Sequence, residues 1–143
     1  ESFGGMFFIN SKQQRFSKIK DSIDQAIKDW FSFAEFDNNE VWGKKWANAY
    51  LESTHKVYDW LTSKKVKFFP VVHWVERGLF QPGNSVPRFH MVWGTGHGLI
   101  EALLDHLKSH QNYKNLTVLF QHKAEDFEIE NGIITTLKGI DEE

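Results

Sequence analysis

RFHMVWGTGHGL, residues 88–99, packs a fixed cation, an imidazole, two large side chains and three glycines ahead of an apolar-periodic run. An extended segment that passes through a glycine loop into a helix predicts a mixed fold and concentrates polar chemistry at the junction. Gly94, Gly96 and Gly98 let backbone N–H groups turn toward one point. The helix start behind them adds unpaired amides and the positive end of its dipole, so an anion or polarised carbonyl would be held there. Arg88 and His90, at i and i+2, are expected to project to the same side of an extended segment, as an oxygen clamp.

Moving outward from the loop, Leu99, Ile100, Leu103, Leu104 and Leu107 predict a helix that stops near Gln111. His106 and His110 on it lie one turn apart, but no HExxH glutamate or third ligand accompanies them. They are read as solvated, and no metal is expected. Ahead of Arg88, residues 76–87 carry Gly78, the turn signal Pro82-Gly83-Asn84 and Pro87. This is an irregular stretch, read as a surface connection, with a pocket wall as the sharper alternative. Residues 66–72, VKFFPVV, read as a short strand at an edge or with a bend, because Pro70 cannot donate to a ladder.

Two amphipathic helices are predicted before that strand. In residues 17–34, Ile19, Ile23, Ile27, Trp30, Phe31 and Ala34 recur at helical spacing, with Ser17 or Asp21 as the cap. The second carries Trp42, Trp46, Tyr50, Val57, Trp60 and Leu61, has Gly43 as its weak point and ends near Lys64 and Lys65. Aromatic residues at this spacing are expected to face the core. At the other end, residues 116–120 read as a short buried strand. Residues 122–130 read as a half-buried strand with Ala124, Phe127 and Ile129 prominent, then a hairpin turn at Asn131-Gly132 and a return over 133–138. The fold class is α+β, or the middle of an α/β domain: three main helices, a short strand and a C-terminal β-hairpin.

Composition bounds what this can be. The chain has 143 residues, 41% hydrophobic and 25% charged, the balance of one globular domain. Its formal charge of −2 and scattered lysines point away from nucleic acid and from anionic membrane. No apolar run approaches the ~20 residues that span a bilayer. There is no cysteine, hence no disulfide and no thiolate nucleophile, which fits a reducing, cytoplasmic compartment. The spacing Gly94-x-Gly96-x-Gly98 is not GxGxxG, because Leu99 takes the third glycine's place, and neither a GxSxG elbow nor a Walker loop occurs. The chain opens Glu1-Ser2-Phe3-Gly4-Gly5 without an initiator Met or a signal-peptide pattern, and is expected to be a piece of a longer protein. The Gly-Gly pair before Met6-Phe7-Phe8-Ile9 suggests a backbone that something large approaches closely, with an ordinary glycine turn as the plainer alternative.

Several of these stretches together resemble a known family. Ser2-Phe3-Gly4-Gly5-Met6-Phe7-Phe8, Ile19-Lys20-Asp21-Ser22 with Asp29-Trp30, Phe68-Phe69-Pro70-Val71-Val72, and Gly83-Asn84-Ser85-Val86-Pro87-Arg88-Phe89-His90 with Trp93-Gly94-Thr95-Gly96 carry the likeness. It is to the flavoprotein group of the fumarate reductase and succinate dehydrogenase flavoprotein subunits and the ketosteroid dehydrogenases, and within it to the FAD-binding dehydrogenases.

The resemblance implies a two-electron oxidoreductase with FAD as cofactor, moving a hydride to or from a carbonyl- or carboxylate-activated C–C bond. It implies that Ser2, Gly4 and Gly5 lie against the flavin, and that the backbone at Ala124 contacts the adenine. Arg88 and His90 would contact substrate beside a loop of Gly94, Thr95 and Gly96. Arg88 stays a cation at neutral pH, whereas His90 could move a proton if its pKa lay near the working pH; a structural histidine is the alternative. The family's GxGxxG βαβ unit and substrate cap are missing here. The expectation is therefore an internal segment of a FAD-binding domain that binds FAD weakly or not at all alone. The partners implied are FAD and a small-molecule substrate, with no nucleic acid and no membrane; a steroid, a dicarboxylate and an enone all stay open as substrate. A competing expectation is a stand-alone, aromatic-rich ligand-binding domain without redox activity.

Overall fold

The computed structural model describes residues 2–75, 80 and 82–142. The chain divides into two compact units, Glu1–Lys108 and Ser109–Glu143. Among the described residues, no helix is long and apolar enough to cross a membrane.

In the first unit, β1 (Met6–Phe7) pairs antiparallel with β2 (Phe89–His90), Met6 opposite His90 and Phe7 opposite Phe89. Successive side chains of an extended segment point to opposite faces, and the run from Phe7 to Ile9 uses both. Phe8 is buried with Tyr58, Leu61, Val66 and Val92, while Phe7 and Ile9 pack with Ala26, Leu51 and Trp30. Burying a side chain such as Phe8 contributes about 1.5–3 kcal/mol, so this short segment anchors the unit between two clusters.

A five-residue helix, α1 (Lys12–Phe16), begins on a capping box in which Ser11 and Gln14 bond reciprocally. It is closed by Lys18 in the left-handed region, φ 58, and by the Ile19 N–H donating to the Gln14 carbonyl. The helix predicted over residues 17–34 is therefore shorter. It is α2 (Ile23–Ala34), capped by Ser22, whose Oγ accepts from the Gln25 N–H, and not by Ser17 or Asp21.

Next comes α3 (Val41–Ser63), which buries Ala47, Leu51, Thr54, Tyr58 and Leu61. The expected aromatic core face is largely overturned: Trp42, Trp46 and Trp60 are 69%, 71% and 53% exposed. Positions 47, 51, 54, 58 and 61 follow a three-four spacing and form the buried face of α3, with small residues at 47 and 54. The tryptophans share a neighbouring face.

Residues 66–73 run along the far side of β2 in isolated bridges, Phe68 with Val92 and His73 with Phe89. Pro70 falls between these bridges, in keeping with the expected bend. The last helix, α4 (Thr95–Lys108), starts four residues before the expected apolar run, so Gly96 and Gly98 lie in its first turn and only Gly94, at φ 84, stays ahead of it. Of the irregular stretch 76–87, residues 76–79 and 81 lie outside the described residues. Gly83 sits at φ 84, as the Pro-Gly-Asn turn signal requires.

The second unit is a hairpin. β3 (His122–Glu130) pairs antiparallel with β4 (Ile133–Asp141) around Asn131 and Gly132, whose φ angles of 52 and 78 match the turn expected there. Residues 116–120 form no strand: they are preceded by a short 3-10 turn, Tyr113–Asn115, and Leu119 and Phe120 are exposed. Neither is β3 half-buried, since both strands are exposed along their length. A period-2 pattern marks which face could be covered, and nothing among the described residues of this unit covers it.

Candidate functional site

The opening segment and the glycine turn, far apart in sequence, meet in space. The Gly96 N–H donates to the Ser2 carbonyl at 2.8 Å, and the Gly4 N–H to Ser2 Oγ at 3.1 Å. Gly4 has φ 62, and a Cβ there would lie 3.1 Å from the Thr95 oxygen and the Gly96 nitrogen. At Gly5 a Cβ would land 1.8 Å from the Phe89 ring. Both glycines are thus required by the protein's own packing. On the outer side, Phe3 and Gly5 are exposed, and among the described residues their N–H groups make no hydrogen bond. Two free backbone donors flanking Gly4 would suit a flat, acceptor-rich ring.

The convergence of amides expected at the glycines takes another form. The Gly96 N–H is committed to Ser2, the Gly98 N–H donates to the Gly94 carbonyl at 2.9 Å, and the Thr95 N–H to the Val92 carbonyl at 3.0 Å. Thr95 itself sits at φ 61. The turn holds the Ser2–Gly5 segment; these three amides are not aimed at a ligand.

Arg88 and His90 point inward together. Arg88 is 2% exposed and forks onto Asp21, with Nε to Oδ2 at 2.8 Å and a terminal nitrogen to Oδ1 at 2.7 Å. Its other terminal nitrogen donates to Asp29 Oδ2 at 2.6 Å, and the guanidinium lies 5.5 Å from the Phe7 ring centre. Burial alone would lower the Arg88 pKa. The hydrogen bonds and charges of Asp21 and Asp29 outweigh it, and the pKa stands above the ordinary arginine value. Gln14 donates to Asp21 Oδ2 and to the Pro87 carbonyl, and Ser85 Oγ donates to Asp29 Oδ2 at 2.6 Å.

His90 is fully buried, with Nδ1 2.8 Å from the Arg88 carbonyl and Nε2 2.6 Å from Ser11 Oγ. A carbonyl only accepts, so Nδ1 carries the proton, and in the neutral ring Nε2 accepts from the Ser11 hydroxyl. Burial pushes the His90 pKa down, against the opposing pull of the Arg88 and Met6 backbone and of Asp21. The neutral tautomer is the resident form at neutral pH.

Beside this network lies a cavity of about 600 Å³, walled by Phe3, Phe7, Trp30, Phe89 and Met91, with Asp29 and His73 among its polar groups. Asp21, Asp29, Ser11 and Gln14 were not singled out from the sequence as site residues. Asp21 and Asp29 fell within stretches that carry the family resemblance, and the Ser11-x-x-Gln14 spacing is that of a capping box, but neither signal gave these residues a place in the site. Ala124, in the other unit, pairs with Gly139 on β4 at a register shift, where the bulge loosens the ladder between Ala124 and Asp126.

The sequence pattern of the FAD binding domain family matches residues 1–141. The chain is 38% identical over 145 aligned residues to a KsdD-like steroid dehydrogenase of Mycobacterium tuberculosis strain H37Rv, covering 96% of this chain and 25% of that protein. The KsdD-like steroid dehydrogenase of Mycolicibacterium smegmatis is 37% identical, with 96% and 26% covered. The chain spans about a quarter of the length of these curated relatives. A match across nearly every residue identifies the chain as a member of the FAD binding domain family, whose cofactor is FAD.

Proposed function

We propose that this chain is an internal segment of the FAD-binding domain of a FAD-dependent dehydrogenase or reductase. The protein acts on a C–C bond activated by a neighbouring carbonyl or carboxylate. FAD supplies the two-electron exchange, as hydride transfer, when bound. The carrying observation is the edge of Ser2, Phe3, Gly4 and Gly5, held on Thr95 and Gly96, where the Phe3 and Gly5 N–H groups make no hydrogen bond among the described residues. In this reading Ser2, Gly4 and Gly5 meet the flavin through backbone, and Gly94, Thr95 and Gly96 set the height of that edge. Ala124 offers backbone to the adenine at its bulge. Relatives named as steroid dehydrogenases favour a polycyclic ketone over a dicarboxylate as substrate class.

Arg88 and His90 could touch a substrate only by giving up Asp21, Asp29 and Ser11. Held as they are, they position β2, and through it β1 and the glycine edge. A proton relay through His90 would need its ring to leave the Ser11 hydroxyl. The same proposal puts the protein in the cytoplasm, in keeping with its lack of cysteine.

The test is the visible absorption spectrum of the protein purified at its natural length. Flavin bands, bleached by anaerobic reduction and restored by an enone or steroid acceptor, are expected. Colourless protein that stays colourless after incubation with FAD would overturn the proposal. The competing ligand-binding domain without redox activity draws support from the 600 Å³ aromatic cavity, and from tryptophans that lie exposed instead of filling a core. It predicts that second result.

A further inference from the structure

Phe89 stands between Arg88 and His90, which are 2% and 0% exposed, yet is itself only half-buried. Alternation along an extended segment sends its ring to the face opposite theirs. The backbone beneath that ring is fixed on both edges. Phe89 lies opposite Phe7 in the β1–β2 register. On the other edge its N–H donates to the His73 carbonyl at 2.9 Å, and its carbonyl accepts from the His73 N–H at 2.8 Å. Arg88, bound to two carboxylates, and His90, bound to Ser11, fix the residues on either side. A side chain rooted this firmly delivers its ring to one place.

That place is Gly5. A Cβ on Gly5 would fall 1.8 and 1.9 Å from Cζ and Cε2 at the far end of the Phe89 ring, whereas ordinary contact begins at 3.4 Å. Gly4, at φ 62, needs glycine for its backbone conformation as well; Gly5 is outside the left-handed region, so only the ring excludes a side chain there. The end of Phe89 thus fills the volume that a side chain at position 5 would take. Gly5 is nonetheless exposed, and its N–H makes no hydrogen bond among the described residues. What it rests on is the ring.

We propose that Phe89 is a positioning residue for the cofactor: its ring backs Gly5 and sets the level at which the Gly4–Gly5 backbone meets the flavin of FAD. The inference rests on the reading that FAD meets the Ser2–Gly5 edge, and it has Phe89 act through Gly5 instead of touching the cofactor. Side-chain length at position 89 is the variable. Valine suits an extended segment, removes the ring atoms nearest Gly5 and leaves the backbone unsupported. Tyrosine adds an oxygen on Cζ, the nearest of those atoms, and pushes the backbone away. Alanine at position 5 meets the ring and displaces one or the other by more than an ångström. Combined with Phe89→Val, its methyl enters the volume the ring has vacated, so the two changes compensate.

The experiment is a titration of the natural-length protein, stripped of flavin, with FAD, followed by quenching of flavin fluorescence. It compares wild type, Phe89→Val, Phe89→Tyr, Gly5→Ala and the double variant of Gly5→Ala with Phe89→Val, each checked for folding by circular dichroism and its urea midpoint. Each single change should raise the Kd for FAD at least about tenfold, the scale on which contacts misplaced by about an ångström lose their effect. The double variant should recover most of that loss. A merely structural contact would move the urea midpoint, and restore it in the double variant, while the folded variants kept wild-type affinity for FAD. That result overturns the proposal and leaves the flavoprotein reading standing. A double variant that binds FAD no better than Gly5→Ala also overturns it. If Gly5→Ala does not fold, Phe89→Val and Phe89→Tyr decide by themselves, and wild-type affinity in both refutes the proposal. Wild-type protein that takes up no FAD removes the flavoprotein reading, and this proposal with it.

Discussion

Replacing Arg88 by Met should be among the most damaging single changes in the first unit, and its size follows from what it strands. The substitution removes three charge-assisted hydrogen bonds, leaving Asp21 with a side chain 0% exposed and Asp29 with one 10% exposed. Gln14 and Ser85 donate to these carboxylates but bring no positive charge. Breaking a buried ion pair from one side costs about 3–5 kcal/mol, a large share of the ~5–15 kcal/mol by which a domain is stable. With a urea slope near 2 kcal/mol per molar, the midpoint should fall by roughly 2 M. Lysine keeps the charge but cannot fork onto Asp21, so Arg88→Lys should fall between, at about 1–3 kcal/mol.

The assay is urea unfolding followed by far-ultraviolet circular dichroism, for Arg88→Met, Asp21→Asn and the double variant. The double variant should cost less than the sum of the singles by about 1–3 kcal/mol, because each single change strands a group that the other removes. A loss below about 0.5 kcal/mol for Arg88→Met, the scale of an ordinary surface change, would refute the claim that this arginine is a buried strut.

Three other expectations follow from the same geometry. Gly4→Ala forces a side chain into φ 62 with the Thr95 oxygen and Gly96 nitrogen 3.1 Å away, and should cost about 1–2 kcal/mol in thermal unfolding; wild-type stability would count against the packing described. His90 has a native pKa below the ordinary histidine value, so between that value and about pH 6.5 the unfolded chain binds more protons. Its contribution is fully present above about pH 6.5 and is lost as pH falls through the lower native pKa; His90→Gln should flatten that stretch of the stability–pH curve, and an unchanged slope would contradict a buried neutral ring. Gly132→Ala meets no atom within 4 Å but must hold φ 78, so it should loosen the hairpin by about 1 kcal/mol in amide exchange and leave β1 and β2 protection unchanged.

Where the chain's local chemistry is sufficient, the fold was legible. The span of α3 follows from its periodicity, and the hairpin from Asn131-Gly132 flanked by alternating residues. Failures arose where distant partners decide. Ile19 continues the helical spacing of α2, yet Lys18 turns left-handed and Asp21 is drawn in to Arg88, so the helix starts at Ile23. Gly96 and Gly98 look like helix breakers, but their amides are met by Ser2 and Gly94, which lets α4 begin at Thr95. The tryptophans of α3 match a core stripe in period and lie outside it, because Ala47 and Thr54 permit closer packing than indoles would. The residues that hold Arg88 are 59 and 67 positions away, and no pattern within a single element reveals such a pairing. The glycines of the opening segment were legible as glycines that something crowds. What crowds them, Phe89 and the first turn of α4, is visible only in three dimensions.

The edge of Ser2, Phe3, Gly4 and Gly5 is the proposed place where FAD meets this chain. Hydrogen–deuterium exchange of the natural-length protein, with and without FAD, reads that edge directly, because the Phe3 and Gly5 amides have no internal partner to protect them. Slowed exchange at these two amides on adding FAD, with those of Met6 and Phe8 already slow, is the predicted result. FAD that binds, as judged by its absorbance, while the Phe3 and Gly5 amides exchange as fast as before would contradict it.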